Sequence, residues 1–261
     1  METLVSDGYA VTYEDAAFGS DIMSVADSFG GAGIGVFEDA SNPARVSRPR
    51  FTPGSNREQN FNSNQIADTR YSFDVVVNGP MRSMVRARTM NWNSGGGAYE
   101  LEQVYTAYAG ASFSTAKVRF SRFAPRRAGA AFGAGIRKHV GETLFYQEGG
   151  MVVSAAPEAI RNPDDREAVQ NELTVAYAGS AMVVRDKYRP RYVYVPDFQG
   201  NHAFRIKPTP DWTFEYLIAA GWSEGAVLKT AEEFRDYVVT TAREYNAPVR
   251  VGGARMEQKT N

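Results

Sequence analysis

The sequence predicts a mainly β chain, an antiparallel sandwich that carries one C-terminal helix. Three observations predict it. Aromatic residues make up 12% of a chain that also holds 24 glycines, a balance of strand formers and turn formers. Four strand-length segments follow one another between residues 71 and 122 with short connections, which implies antiparallel pairing. The stretch Ala231–Tyr245 carries a helix start signal and helical periodicity. The 261 residues are read as one domain, long enough to bury a sizeable core without staples.

Taken in order, Gly33–Phe37 reads as a short strand after a tight glycine turn. Residues 41–68, rich in Asn, Arg, Ser and Pro, read as a long surface loop. Tyr71–Val77 runs into the turn Asn78-Gly79-Pro80, and Met81–Met90 returns. A loop at residues 93–97 precedes the strands Ala98–Tyr108 and Ser112–Arg122. Side chains two apart share a strand face, so Arg82, Arg86 and Arg88 line up opposite Glu100 and Glu102, with Lys117 and Arg119 beyond. Such a row is a solvated ladder of ion pairs, or, on a concave face, a receiver of acidic sugars. The ladder is the simpler expectation. Later strands are expected at Thr143–Gln147, Thr174–Val184, Arg191–Val195, Ala203–Lys207 and Trp212–Ala220, with a short helix within Pro163–Glu172. Thr230 with Glu233 forms a capping box ahead of the stripe Phe234, Val238, Thr241 and Tyr245.

Composition removes several function classes. The formal net charge of −1 supplies no long-range field for nucleic acid or an anionic membrane. No cysteine is present, which excludes thiolate catalysis, disulfides and cysteine metal sites but fits cytosol and periplasm alike. No apolar run spans a bilayer, and Met1–Ser6 has neither the basic start nor the apolar stretch of a signal peptide. With His139 and His202 the only histidines, no multi-histidine metal site is expected, and no cofactor motif stands. Gly31-x-Gly33-x-Gly35 lacks the βαβ surroundings of a dinucleotide site. The phosphate-binding lysine loop, the His-Glu-x-x-His helix and the Gly-x-Ser-x-Gly elbow are absent.

The candidate chemistry is local. In Gly135-Ile136-Arg137-Lys138-His139, a strand would set Arg137 and His139 on one face. Crowding by Arg137 favours a neutral imidazole, suited to a proton-transfer base. Trp92, Trp212 and Trp222 lie near strand ends, where indoles can stack on sugar rings or pack in the core. Glu215, between Trp212 and Trp222, is a candidate acid–base carboxylate or one half of an ion pair.

Four stretches in order resemble a bacterial family, the domain of unknown function numbered 4861. They are Ser20–Gly35, Asn78–Ser83 leading to Trp92, Gly135–His139, and Ala219–Trp222 followed by Thr230–Phe234. The resemblance implies a β-supersandwich of the galactose-mutarotase and polysaccharide-lyase kind. It also implies an exported, periplasmic or secreted protein of polysaccharide utilisation, N-terminally shortened relative to the family. The stretch before Trp222 departs from the family pattern, with Glu215 and Ile218 in it, so a catalytic Glu215 does not follow from the resemblance.

These expectations lead to elimination on uronic-acid-containing saccharide, by a lyase or dehydratase. Arg137, Arg86 or Lys138 would neutralise the sugar carboxylate. His139, or Tyr146, would take the C5 proton, and Tyr99 or Tyr146 would protonate the leaving oxygen. A second reading is a non-catalytic carbohydrate-binding domain using Trp92, Trp212 and Trp222. A third, aldose epimerisation through His139 and Glu215, rests on fold analogy. The expected partner is a carbohydrate ligand, with a homo-oligomer compatible.

Overall fold

The computed structural model describes residues 28–42, 46–49, 69–94, 96–160, 173–196 and 200–247. They form two antiparallel sheets and one long helix. The small sheet has the order β1 (Gly33–Phe37), β6 (Ala131–Arg137), β11 (Asn201–Ile206), β10 (Arg191–Val195). The large sheet has the order β2 (Arg70–Asn78), β3 (Arg82–Ser94), β4 (Gly97–Tyr108), β5 (Phe113–Ala124), β12 (Thr213–Trp222), β9 (Leu173–Val184), β8 (Met151–Ile160), β7 (Leu144–Glu148). The mainly β architecture with a single C-terminal helix is thus as expected, and most strands fall within a few residues of their expected bounds. β8 was not expected. Met151, Val153 and Ala155 bury one of its faces under the helix, and Val152 buries the other in the sandwich. A strand buried on both faces loses the alternation that reveals strands in sequence. β6, buried along its whole length, shows the same loss.

The main core fills the space between the sheets. Ile34, Phe132, Ala134, Ile136, Phe204 and Ile206 of the small sheet meet Leu101, Val118, Phe120, Val152, Met182 and Phe214 of the large one. At its centre Phe132 stacks between Phe120, at 4.8 Å, and Phe214, at 5.3 Å. On the opposite face of the large sheet lies α1 (Ala231–Asn246), whose Phe234, Val238 and Ala242 cover Val153, Ala155, Leu217 and Ala219. Phe234 reaches the sheet because Gly179 and Gly221 have no side chains. A Cβ on either would come within 2.8 Å of its ring. The expected capping box is formed, with Thr230 Oγ1 accepting from the Glu233 N–H and Glu233 accepting from the Thr230 N–H.

Part of the expected loop at 41–68 is not a surface loop. Val46 is buried against the outer face of the small sheet, and Ser47 exchanges two backbone hydrogen bonds with Val36, of 2.8 and 2.9 Å. Residues 43–45 and 50–68, and the helix expected within 163–172, lie outside the described residues. The cross-strand ladder is formed on the face of the large sheet away from the small one. Arg86 and Arg88 contact Asp74 at 3.2 and 3.1 Å, and Arg88 contacts Glu102 at 3.2 Å. Half-exposed pairs of this kind contribute about 0–1 kcal/mol each. No helix among the described residues is long and apolar enough to cross a membrane.

Phe234→Ala should lower unfolding free energy by about 3–5 kcal/mol. Thr230→Ala should cost about 0.5–2 kcal/mol. Urea denaturation measures both, and a loss under about 1 kcal/mol for Phe234→Ala would contradict its role as the helix anchor.

Candidate active site

The inner face of the large sheet changes character along β8 and β9. On β9, Val184 and Met182 are core residues, and the next inward position is Ser180. On β8, Val152 is core, followed inward by Ser154 and Ala156, and Glu158 comes after an irregularity in pairing. Ser154 and Ser180 are register partners. Both are buried, so their hydroxyls need partners. These come from the 138–143 connection between β6 and β7, through His139 and Glu142, and the β10–β11 hairpin brings His202 and Tyr192 against Glu142.

Two carboxylate–imidazole–hydroxyl units result. In the first, Glu142 Oε1 lies 2.8 Å from His202 Nε2, and His202 Nδ1 lies 2.8 Å from the Tyr192 hydroxyl. In the second, Glu158 Oε2 lies 3.3 Å from His139 Nδ1, and His139 Nε2 lies 3.0 Å from Ser180 Oγ. Ser154 joins the units. Its Oγ accepts from the His139 backbone N–H at 3.1 Å and donates to Glu142 Oε1 at 2.5 Å. An ionised carboxylate only accepts, so His202 carries its proton on Nε2 and takes the Tyr192 O–H at Nδ1. By the same rule His139 carries its proton on Nδ1 and takes the Ser180 O–H at Nε2.

Burial raises the Glu142 carboxyl, but hydrogen bonds from His202 and Ser154, with the charge of Lys138, outweigh it and hold the group below its ordinary 4.5. Burial, the charge of Glu142 and then Tyr194 push the Tyr192 phenol up to about 12, which keeps its proton in place at neutral pH. Phe145, in register with Ser154, stacks on the His202 ring at 4.7 Å and shields it from water. Phe145 is 48% exposed and Tyr194 42%, so two exposed rings lie beside the half-buried Tyr192. Tyr194 and His202 are cross-strand partners on one face of the hairpin. Among the described residues no group of three or more His, Asp or Glu is arranged to hold a metal ion.

Of the residues singled out in the sequence, His139 and Lys138 are at this cluster. Lys138 is half-buried, and its backbone N–H donates to Gly200 O at 3.0 Å. His139 is 1% exposed, so it is walled off from any ligand in solution. Arg137 is the last residue of β6 and is also buried. Burial lowers its guanidinium and the charge of Glu158 opposes this.

The rest are elsewhere. Tyr146 faces α1, on the opposite side of β7 from Phe145, and donates to Glu148. Tyr99 is sealed in the core and donates to Glu38 at 2.8 Å. Trp92 packs on Tyr99 at 5.1 Å and has no exposed surface, which leaves no face for a sugar. Arg86 belongs to the outer ion-pair ladder. Glu215 is paired with Arg185 at 3.1 Å on the helix side of β12, so it and His139 occupy opposite sides of the large sheet. Trp212 precedes the start of β12, in a left-handed conformation with φ 54°, whereas Ser180 pairs near the strand's end at Ala220. Eight residues of strand separate them, roughly 27 Å. Trp222 shares the site's face in register with Ala178, but β7 is three strands away, roughly 14 Å.

Sequence reasoning missed Tyr192, Glu142, His202, Ser154, Ser180 and Glu158. A usable signal was there. Tyr192-x-Tyr194 and His202 flank a short hairpin at strand spacing, which puts them on one face.

Glu142 contributes stability that is complete above pH 4.5 and is lost as pH falls through its lowered folded-state value. Glu142→Gln should therefore destabilise the chain at neutral pH, and its deficit should narrow on acidification. Denaturation across the acid range measures this, and a deficit independent of pH would contradict an ionised Glu142.

A search of curated proteins returns no match. The family model described as a domain of unknown function, DUF4861, matches residues 3–251. That match covers nearly the whole chain, and the protein belongs to the DUF4861 family.

Proposed function

We propose that this protein acts on uronic-acid-containing saccharide by elimination, with Tyr192 as the group that meets the substrate. The observation that carries the reading is the Tyr192–His202–Glu142 chain, half-exposed at the phenol and dry at the imidazole. As the C5 proton of a uronate transfers to Tyr192 Oη, the phenolic proton moves to His202 Nδ1. The C5 electron pair forms the C4–C5 double bond and the bond from C4 to the leaving oxygen breaks. The proton then returns from His202 through Tyr192 to that oxygen, so atoms and charge balance. Glu142 stabilises the transient imidazolium. Acid–base participation of this sort supplies on the order of 10²–10⁴ in rate.

Lys138 is four residues from Glu142, its charge helps to lower that carboxyl, and it is assigned to the sugar carboxylate. Phe145 and Tyr194 offer exposed ring faces for the apolar side of the sugar. Those same rings also support carbohydrate binding without chemistry, which is the second reading. The exported, polysaccharide-utilising setting belongs to the proposal and rests on the family resemblance. Epimerisation is not retained, because His139 and Glu215 are on opposite sides of the sheet.

The test is incubation with a panel of uronate-containing and neutral oligosaccharides, read by ultraviolet absorbance of the new conjugated double bond. Turnover should appear with uronates, and Tyr192→Phe should lower kcat by about 10²–10⁴ with little change in binding. Saturable binding that weakens in Phe145→Ala, with the glycan recovered intact, would favour the second reading. Full activity in Tyr192→Phe would refute the assignment of the phenol.

A further inference from the structure

The reaction above leaves a second unit unused: Glu158, His139 and Ser180. Its order of carboxylate, imidazole and hydroxyl is that of a nucleophilic triad, and its distances of 3.3 and 3.0 Å fit one. Exposure decides against nucleophilic use. Ser180 and His139 are each 1% exposed, so an ester or glycosidic carbon has no approach to Ser180 Oγ. The unit instead grips a particular piece of chain. β6 belongs to the small sheet and β7 to the large one, so residues 138–143 cross between layers. His139 is the buried side chain of that crossing, clamped from below by β8 through Glu158 and by β9 through Ser180. Three residues on, Glu142 must present one oxygen to His202 across the gap.

We propose that Glu158–His139–Ser180 is a positioning unit that fixes the 138–143 crossing and, through Ser154, sets Glu142 against His202. Its link to catalysis rests on the proton-transfer reading of Tyr192–His202–Glu142; the positioning itself does not. His139 holds the loop by its ring, and Ser154 holds it by accepting at Oγ from the His139 backbone N–H. Ser154 passes that constraint on by donating to the same Glu142 oxygen that accepts from His202. Without this hold, Glu142 is free to swing from Nε2, and His202 loses the contact that selects its tautomer.

The chain has two histidines, so nitrogen-15 spectra of the imidazoles resolve the site without any substrate. In the parent protein at neutral pH, His202 should show the Nε2-protonated form and His139 the Nδ1-protonated form. In Ser154→Ala and in His139→Gln, His202 should shift to a mixture of tautomers while circular dichroism stays that of the folded chain. Ser154→Thr, which keeps the hydroxyl, should restore the parent signature. Ser154→Ala removes a single oxygen, so it carries the test alone if His139→Gln does not fold. An unchanged His202 signature in Ser154→Ala overturns the proposal, and so does labelling of Ser180 by a fluorophosphonate probe. A chain that shows these shifts yet turns over no uronate keeps the positioning unit and loses the elimination. Turnover with an unchanged His202 signature does the reverse.

Discussion

One carboxylate oxygen holds the candidate site together. Glu142 Oε1 accepts from Ser154 on the large sheet and from His202 on the small sheet. A charge this poorly hydrated persists only where donors replace water, and here the donors come from two layers. A hydrogen bond to a charged group contributes about 1.5–3 kcal/mol, so Glu142 ties these layers together at their polar end. Everything chemical follows from that contact. It selects the His202 tautomer, which makes Nδ1 an acceptor, which orients the Tyr192 proton.

The topology explains why the site is where it is. Between β6 and β7 the chain leaves one sheet for the other, and β10 and β11 return to the first. Segments that change layers at a sandwich end cannot be wholly apolar, because their backbone groups lie beyond the ladders and need side-chain or solvent partners. Ser154 meets that need for the His139 N–H, and His139, Glu142 and Ser180 partner one another's side chains around it. Phe145 then covers the result, so a structural requirement for polarity becomes a shielded, ordered hydrogen-bond chain.

Much of the meander was legible because strands such as β4 and β5 have one face in the core and one toward solvent. The ladder at Arg86, Arg88 and Glu102 followed from alternation alone, although Asp74 on β2, which both arginines contact, was overlooked. The helix was legible because capping chemistry is local. β8 was not, because burial on both faces erases alternation. Trp92, left open between sugar stacking and core packing, and Tyr99, assigned to the leaving oxygen, were ambiguous for a related reason. An aromatic near a strand end reads identically whether the opposing sheet covers it or stops short, and here the small sheet covers both. The site was half legible. His139 was singled out, but its acid partner Glu158 and the whole Tyr192–His202–Glu142 chain are long-range contacts, separated by up to 60 residues. No spacing motif encodes such a meeting; it depends on which strands of two sheets end side by side.

The most direct measurement is a crystal structure of the Tyr192→Phe chain soaked with an oligouronide. A sugar ring should lie against Phe145 and Tyr194, with its carboxylate at Lys138 and its C5 facing the ring at position 192. An oligouronide seated instead on the outer face of the large sheet beside Arg86 and Arg88, with the Tyr192 opening filled only by water, would contradict it.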